Sequence, residues 1–200
     1  MVSKTRDKLI EVARQLFANK GVENTTMSDI ATASDKGRRT IYTYFKNKRE
    51  IYNAVLERES ERLVQSMREV ADSDIPPTEK VRKFILSRII LVKSDDKASM
   101  TEKLRSLFNL DLNRIERIRK LALAKENQIL QSMLEQGVRN GEFDPKQARK
   151  FPSTLVIVMQ GLYYSYVNNN FENIGLVPAG LEDKISDFLV EGLKSKSQNK

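Results

Sequence analysis

Between Lys36 and Arg49 the chain reads KGRRTIYTYFKNKR. It holds six basic residues (Lys36, Arg38, Arg39, Lys46, Lys48, Arg49) and no acidic one. Guanidinium and ammonium groups interleaved with the hydroxyls of Thr40, Tyr42, Thr43 and Tyr44 form a donor set suited to phosphate oxygens and to base edges. Two apolar residues, Ile41 and Phe45, lie four apart, about one helical turn, and can anchor a short helix while the polar side chains face out. The chemistry on offer is therefore recognition of a polyanion. Bond-making chemistry has little to work with, because the 200 residues contain neither His nor Cys. That removes the common zinc sites, the Ser-His-Asp triad and the Cys-His dyad. No cofactor or metal site is expected, and no carboxylate, Lys or Tyr pair stands out as an acid–base couple. The chain is not expected to be an enzyme.

Charge agrees with that reading. The formal net charge is +8, and residues 1–50 hold eleven Lys and Arg against six Asp and Glu. A basic surplus gathered into a quarter of the chain is a footprint for nucleic acid or an anionic membrane surface. The most apolar run, Leu155 to Tyr164, is far short of the roughly 20 residues of a membrane span. With no signal-like N-terminus and no Cys, a cytoplasmic location is expected.

A basic helix needs elements to present it. Leu9, Ile10, Val12, Ala13, Leu16 and Phe17 recur at three and four residues and predict a first helix that stops at Gly21. Thr25 or Thr26 can cap a short second helix bearing Met27, Ile30, Ala31 and Ala33, broken at Ser34 and Asp35. Gly37 then opens the third helix. Helix, tight turn and basic helix make a helix-turn-helix. Asn47 and Glu50 resemble a capping box for a long fourth helix that ends before Pro76 and Pro77.

The segment TTMSDIATASDKGRRTIYTYFKNKREIY, within residues 5 to 56, resembles the DNA-binding domain of TetR-family transcriptional repressors. The likeness lies in the paired Thr opening helix two, the T-I-Y-x-Y-F segment and the K-N-K before helix four. Asp35 and Lys36 depart from the Gly and apolar residue usual at the turn, and Gly37 from a small polar one. The resemblance implies an N-terminal DNA-binding domain (residues 1–50) and a C-terminal dimerisation and ligand-sensing domain (51–200). The fold class is all-α, with about nine helices. It further implies a repressor of a palindromic operator on double-stranded DNA, working as a homodimer.

Within the first domain, Thr26 and the start of helix two, together with Tyr42, Tyr44 and Lys48, suit backbone phosphates. Arg38, Arg39, Thr40 and Thr43 could reach bases, and Lys36 and Gly37 complete the DNA-binding candidates. In the second domain, Leu155 to Tyr164 is apolar on every side. Leu155, Val158 and Leu162, with Ile185, Phe188 and Leu189 of the last helix, are candidates for a four-helix dimer interface. A buried core helix is the plainer alternative. Phe84, Met100, Phe108, Met133, Met159, Tyr163 and Tyr166 could line a small-molecule effector pocket, with Arg88 meeting an acidic group. Each of them reads equally well as core or surface filler. A competing function is a helical ligand-binding protein docking on anionic membrane through its basic face.

Overall fold

The structure, a computed structural model, describes residues 2–94, 112–168, 170, 171, 173, 175 and 179–195. Among these residues it is all-helical, apart from one isolated antiparallel bridge between Phe143 and Lys194. The helices are α1 (Val2–Lys20), α2 (Met27–Ala33), α3 (Arg38–Tyr44), α4 (Lys48–Asp72), α5 (Pro77–Ser94), α6 (Leu112–Arg139), α7 (Pro145–Val167) and α8 (Leu181–Glu191). The sixth helix expected around Met100 to Phe108 lies outside the described residues, and so do the candidate pocket residues Met100 and Phe108.

The chain divides into two compact units. One comprises residues 1–63 and 100–122, the other 64–99 and 123–200. The boundaries at 63/64 and 122/123 fall inside helices, α4 and α6. The sequence division at residue 50 cuts through the first unit because Ile51, Ala54 and Val55 of α4 are buried in its core, with Leu9, Ile10, Ala13, Ile30 and Ile41. A helix whose first turns are buried in one core belongs to it, whatever its later turns do.

Local chemistry explains the ends of the helices. Gly21 follows α1 at φ 84°, a left-handed conformation that favours glycine. Asp144 caps α7 by accepting from the backbone N–H groups of Lys146 and Gln147, with Pro145 in the first helical position. Pro77 opens α5, so Thr78 lies in its first turn. There its N–H and hydroxyl both donate to Glu142, at 3.1 and 2.7 Å.

The second unit holds a core of Val81, Phe84, Ile85, Ile89, Leu130, Met133 and Leu193, with α5 packed on both α7 and α8. Two buried charged groups interrupt it. Lys80 donates to the Ala71 carbonyl at 2.7 Å and to Gln136 at 3.0 Å. Arg88 donates to Glu126 at 2.7 Å, and burial pushes the Glu126 carboxyl up despite that partner. Gly137 allows the buried Phe143 ring to lie against α6; an added Cβ would come within 2.1 Å of that ring.

Candidate nucleic-acid interface

The site is built on α2, α3 and the turn between them. Thr26 is the N-cap of α2: its hydroxyl accepts from the Asp29 N–H at 3.1 Å, while its own N–H donates to Asp29 at 2.7 Å. This reciprocal capping box satisfies two backbone donors. Lys20 donates to the same carboxylate at 2.7 Å; this contact and the Thr26 N–H hold the Asp29 carboxyl down at about 2. The start of α2 thus already carries an ionised internal cap, which competes with the phosphate contact expected there.

Ser34 is fully buried and donates its hydroxyl to the Ala31 carbonyl at 2.9 Å. Asp35 takes φ 55°, so the turn uses an Asp in the left-handed region where glycine has the least strain. The Lys36 N–H reaches back to the Ala31 carbonyl at 2.9 Å, and the half-buried Lys36 leads into Gly37, the N-cap of α3. Gly37 is exposed with φ −66°, and an added Cβ there would meet nothing within 4 Å.

In α3 the anchor residues behave as their spacing requires. Ile41 and Phe45 are buried at 0% and 3% exposure. Arg38, Arg39, Tyr42 and Thr43 face solvent, with Tyr42 46% exposed. The Thr43 hydroxyl donates to the Arg39 carbonyl at 3.1 Å. Thr40 is half-buried, and Tyr44 is half-buried against the core. Tyr44 therefore serves partly as packing, unlike Tyr42.

By sequence, Lys48 is a candidate for a phosphate contact. Its ammonium instead donates to the carbonyls of Val22 at 2.7 Å and Glu23 at 3.2 Å, bracing the start of α4 on the α1–α2 loop, and partial burial pulls its pKa below the ordinary lysine value. Those carbonyls lie 25 and 26 residues away in sequence, out of reach of any local pattern. Asn47 accepts from the Glu50 N–H at 3.0 Å, while Glu50 accepts from the Lys46 N–H at 2.8 Å.

Two charged features of this unit were not anticipated. Arg6 of α1 sets its guanidinium carbon 5.4 Å from the centroid of the Phe45 ring. A row of ion pairs joins α1 to α4: Asp7 with Arg58, Glu11 with Arg62 at 2.7 Å, and Arg14 with Glu59 at 3.9 Å. Arg14 and Arg62 hold the Glu11 carboxyl down at about 2. From the start of α6, Arg114 reaches Glu57 of α4 at 2.9 Å.

The second unit sorts the other candidates by exposure. Phe84, Met133 and Met159 are buried, Tyr166 is half-buried with its ring edge-on to Phe171, and Tyr163 is 40% exposed. Arg88 is engaged by Glu126. Of the interface candidates, Leu155, Leu162 and Leu189 are buried within the chain, Val158 and Ile185 are half-buried, and Phe188 stands out at 79% exposure. The outward apolar residues of α7 are instead Val156, Ile157, Tyr163 and Tyr164, with Ile157 69% exposed. A helix apolar all round gives no registration, so only packing decided which side turned in. No described helix is long and apolar enough to cross a membrane. Among the described residues no cluster of acidic side chains could hold a metal ion.

Residues 9–55 match the profile of the bacterial regulatory proteins of the tetR family. The chain is 48% identical over 50 residues to the "Probable acrEF/envCD operon repressor" of Escherichia coli (strain K12), which is 25% of this chain and 23% of that protein. It spans between 23 and 50% of the length of the curated relatives it matches. Its structure resembles that of a TetR/AcrR-family transcriptional regulator from Thermobifida fusca, with TM-score 0.67 and 21% identity, over 95% of this chain and 98% of that one. It also resembles the transcriptional regulator FadR from Bacillus subtilis in complex with stearoyl-CoA, with TM-score 0.58 and 22% identity, over 93% and 98%. The outward basic third helix thus lies in a segment similar to the tetR family of bacterial regulatory proteins, and the helical fold is shared with solved structures over nearly the whole chain.

Proposed function

We propose that the chain is a homodimeric, sequence-specific DNA-binding repressor whose α3 enters the major groove of a palindromic operator. The observation that carries this reading is the sidedness of α3: Ile41 and Phe45 are buried while Arg38, Arg39, Tyr42 and Thr43 are exposed. An Arg can bond guanine O6 and N7 together, and Tyr42 and Thr26 are suited to phosphates. One such helix covers too little DNA for specificity. Two copies related by a dyad read half-sites about 34–36 Å apart or a multiple of that.

Dimerisation is supported by the exposed Ile157, Tyr164 and Phe188, large apolar side chains on two helices of the second unit. For an apolar or amphipathic effector the candidates Phe84, Met133 and Met159 supply buried apolar side chains, while Arg88 is paired with Glu126. A structural relative holds stearoyl-CoA, a ligand of that class. Release would be a population shift: ligand favours a state in which α4 has moved and the two α3 helices no longer match their half-sites. Tenfold weaker DNA binding requires only about 1.4 kcal/mol of differential affinity.

Selection of bound sequences from a random duplex pool tests the reading. Recovery of a palindrome with a fixed half-site spacing is the expected result. Retention on acidic liposomes with no enrichment of any duplex would replace it with membrane docking.

A further inference from the structure

We propose that Arg6 is a phosphate-contacting residue that extends the DNA interface beyond α3, held in position by the ring of Phe45. The inference rests on the DNA-binding reading above and adds a residue that precedes the matched segment 9–55.

Several cations of the first unit are already engaged. Arg14 and Arg62 share Glu11, Arg58 pairs with Asp7 and Arg114 with Glu57. Lys20 is held by Asp29, and Lys48 by two carbonyls. Arg6 differs. It is exposed, no described carboxylate pairs with it, and its guanidinium lies over an aromatic ring.

That ring belongs to Phe45, which is 3% exposed and is the C-cap of α3. The core therefore fixes the ring over which the guanidinium sits, at the end of the helix whose exposed residues form the proposed interface. A guanidinium uses its face against a ring, so the N–H donors around its rim stay free to meet acceptors in its plane. Placed beside a groove-reading helix, a rim of donors with no carboxylate partner suits the non-bridging oxygens of the flanking DNA strand. Such a contact sets register and adds affinity without reading sequence. The ring also reduces the ordering entropy that a free arginine would lose on binding.

The test compares the wild type with Arg6→Ala, Arg6→Gln and Arg6→Lys, on a duplex recovered by selection and on a random duplex, across a salt series. Thermal melting without DNA checks that each variant is folded. Arg6→Ala and Arg6→Gln should weaken both duplexes by the same factor, about tenfold per subunit at ~0.1 M salt. The slope of log affinity against log salt should become shallower by about 0.9 per subunit. Arg6→Lys should restore the slope but only part of the affinity, since an ammonium lacks the flat stacking face. A wild type that binds DNA with variants of unchanged slope and affinity would overturn the assignment and leave the DNA-binding reading intact. Loss confined to the selected duplex would also overturn it, making Arg6 a base reader. A wild type that retains neither duplex would remove both readings together.

Discussion

Two arginines show how burial changes what the same side chain does. Arg39 is exposed on α3, whereas Arg88 is engaged by the 4%-exposed Glu126. Replacing Arg39 with Ala should therefore lower discrimination at one base position by about 1–3 kcal/mol, read by repeating the selection. Tyr42→Ala should instead weaken all duplexes alike. For Arg88 the consequence is on stability. Arg88→Met leaves Glu126 buried and unpaired, at about 3–5 kcal/mol, while the double change with Glu126→Leu should recover most of that loss in urea unfolding. A double variant as unstable as the single one would refute the isolated-charge account.

The elements are joined by contacts that link distant parts of the sequence. The α1–α4 ion pairs predict a pH signature. The Glu11 carboxyl falls from its ordinary value to about 2 in the folded state, so its contribution is present above about 4.5 and is lost as the pH falls towards 2. The pair is largely solvent-exposed, which keeps the effect below about 1 kcal/mol. Acid unfolding of Glu11→Gln should be correspondingly less steep over that window. Within α6, helix propensity and packing oppose each other at Gly137. Alanine favours a helix by about 1 kcal/mol over glycine, but here its Cβ would meet the Phe143 ring. Packing should win, and Gly137→Ala should lower stability by a net 1–3 kcal/mol or so by denaturant midpoint. At this scale α1 to α4 were legible, because apolar spacing, capping residues and prolines act over a few residues. The Gly137–Phe143 fit was not, since nothing in a Gly among helix formers announces a ring lying against it.

For the whole molecule, the proposed dimer turns on which apolar surface would meet a second copy. Ile157→Asp, alone or with Phe188→Asp, should give monomers by light scattering and weak binding to a two-half-site duplex. Leu162→Asp should unfold the subunit instead, because Leu162 is buried within it. An intact Ile157→Asp dimer would move the interface elsewhere. The sequence by itself determined an all-helical chain and the basic third helix with its Ile41–Phe45 anchor, together with the turn chemistry around it. Those properties follow from composition and from interactions within a few residues of one another. Only the tertiary structure decided that Lys48 braces a loop, that Arg6 lies over Phe45, that Arg88 answers Glu126, and that Ile157 faces out while Leu155 and Leu162 face in. Each of these depends on which residues meet across long stretches of chain, and a local pattern carries no information about that.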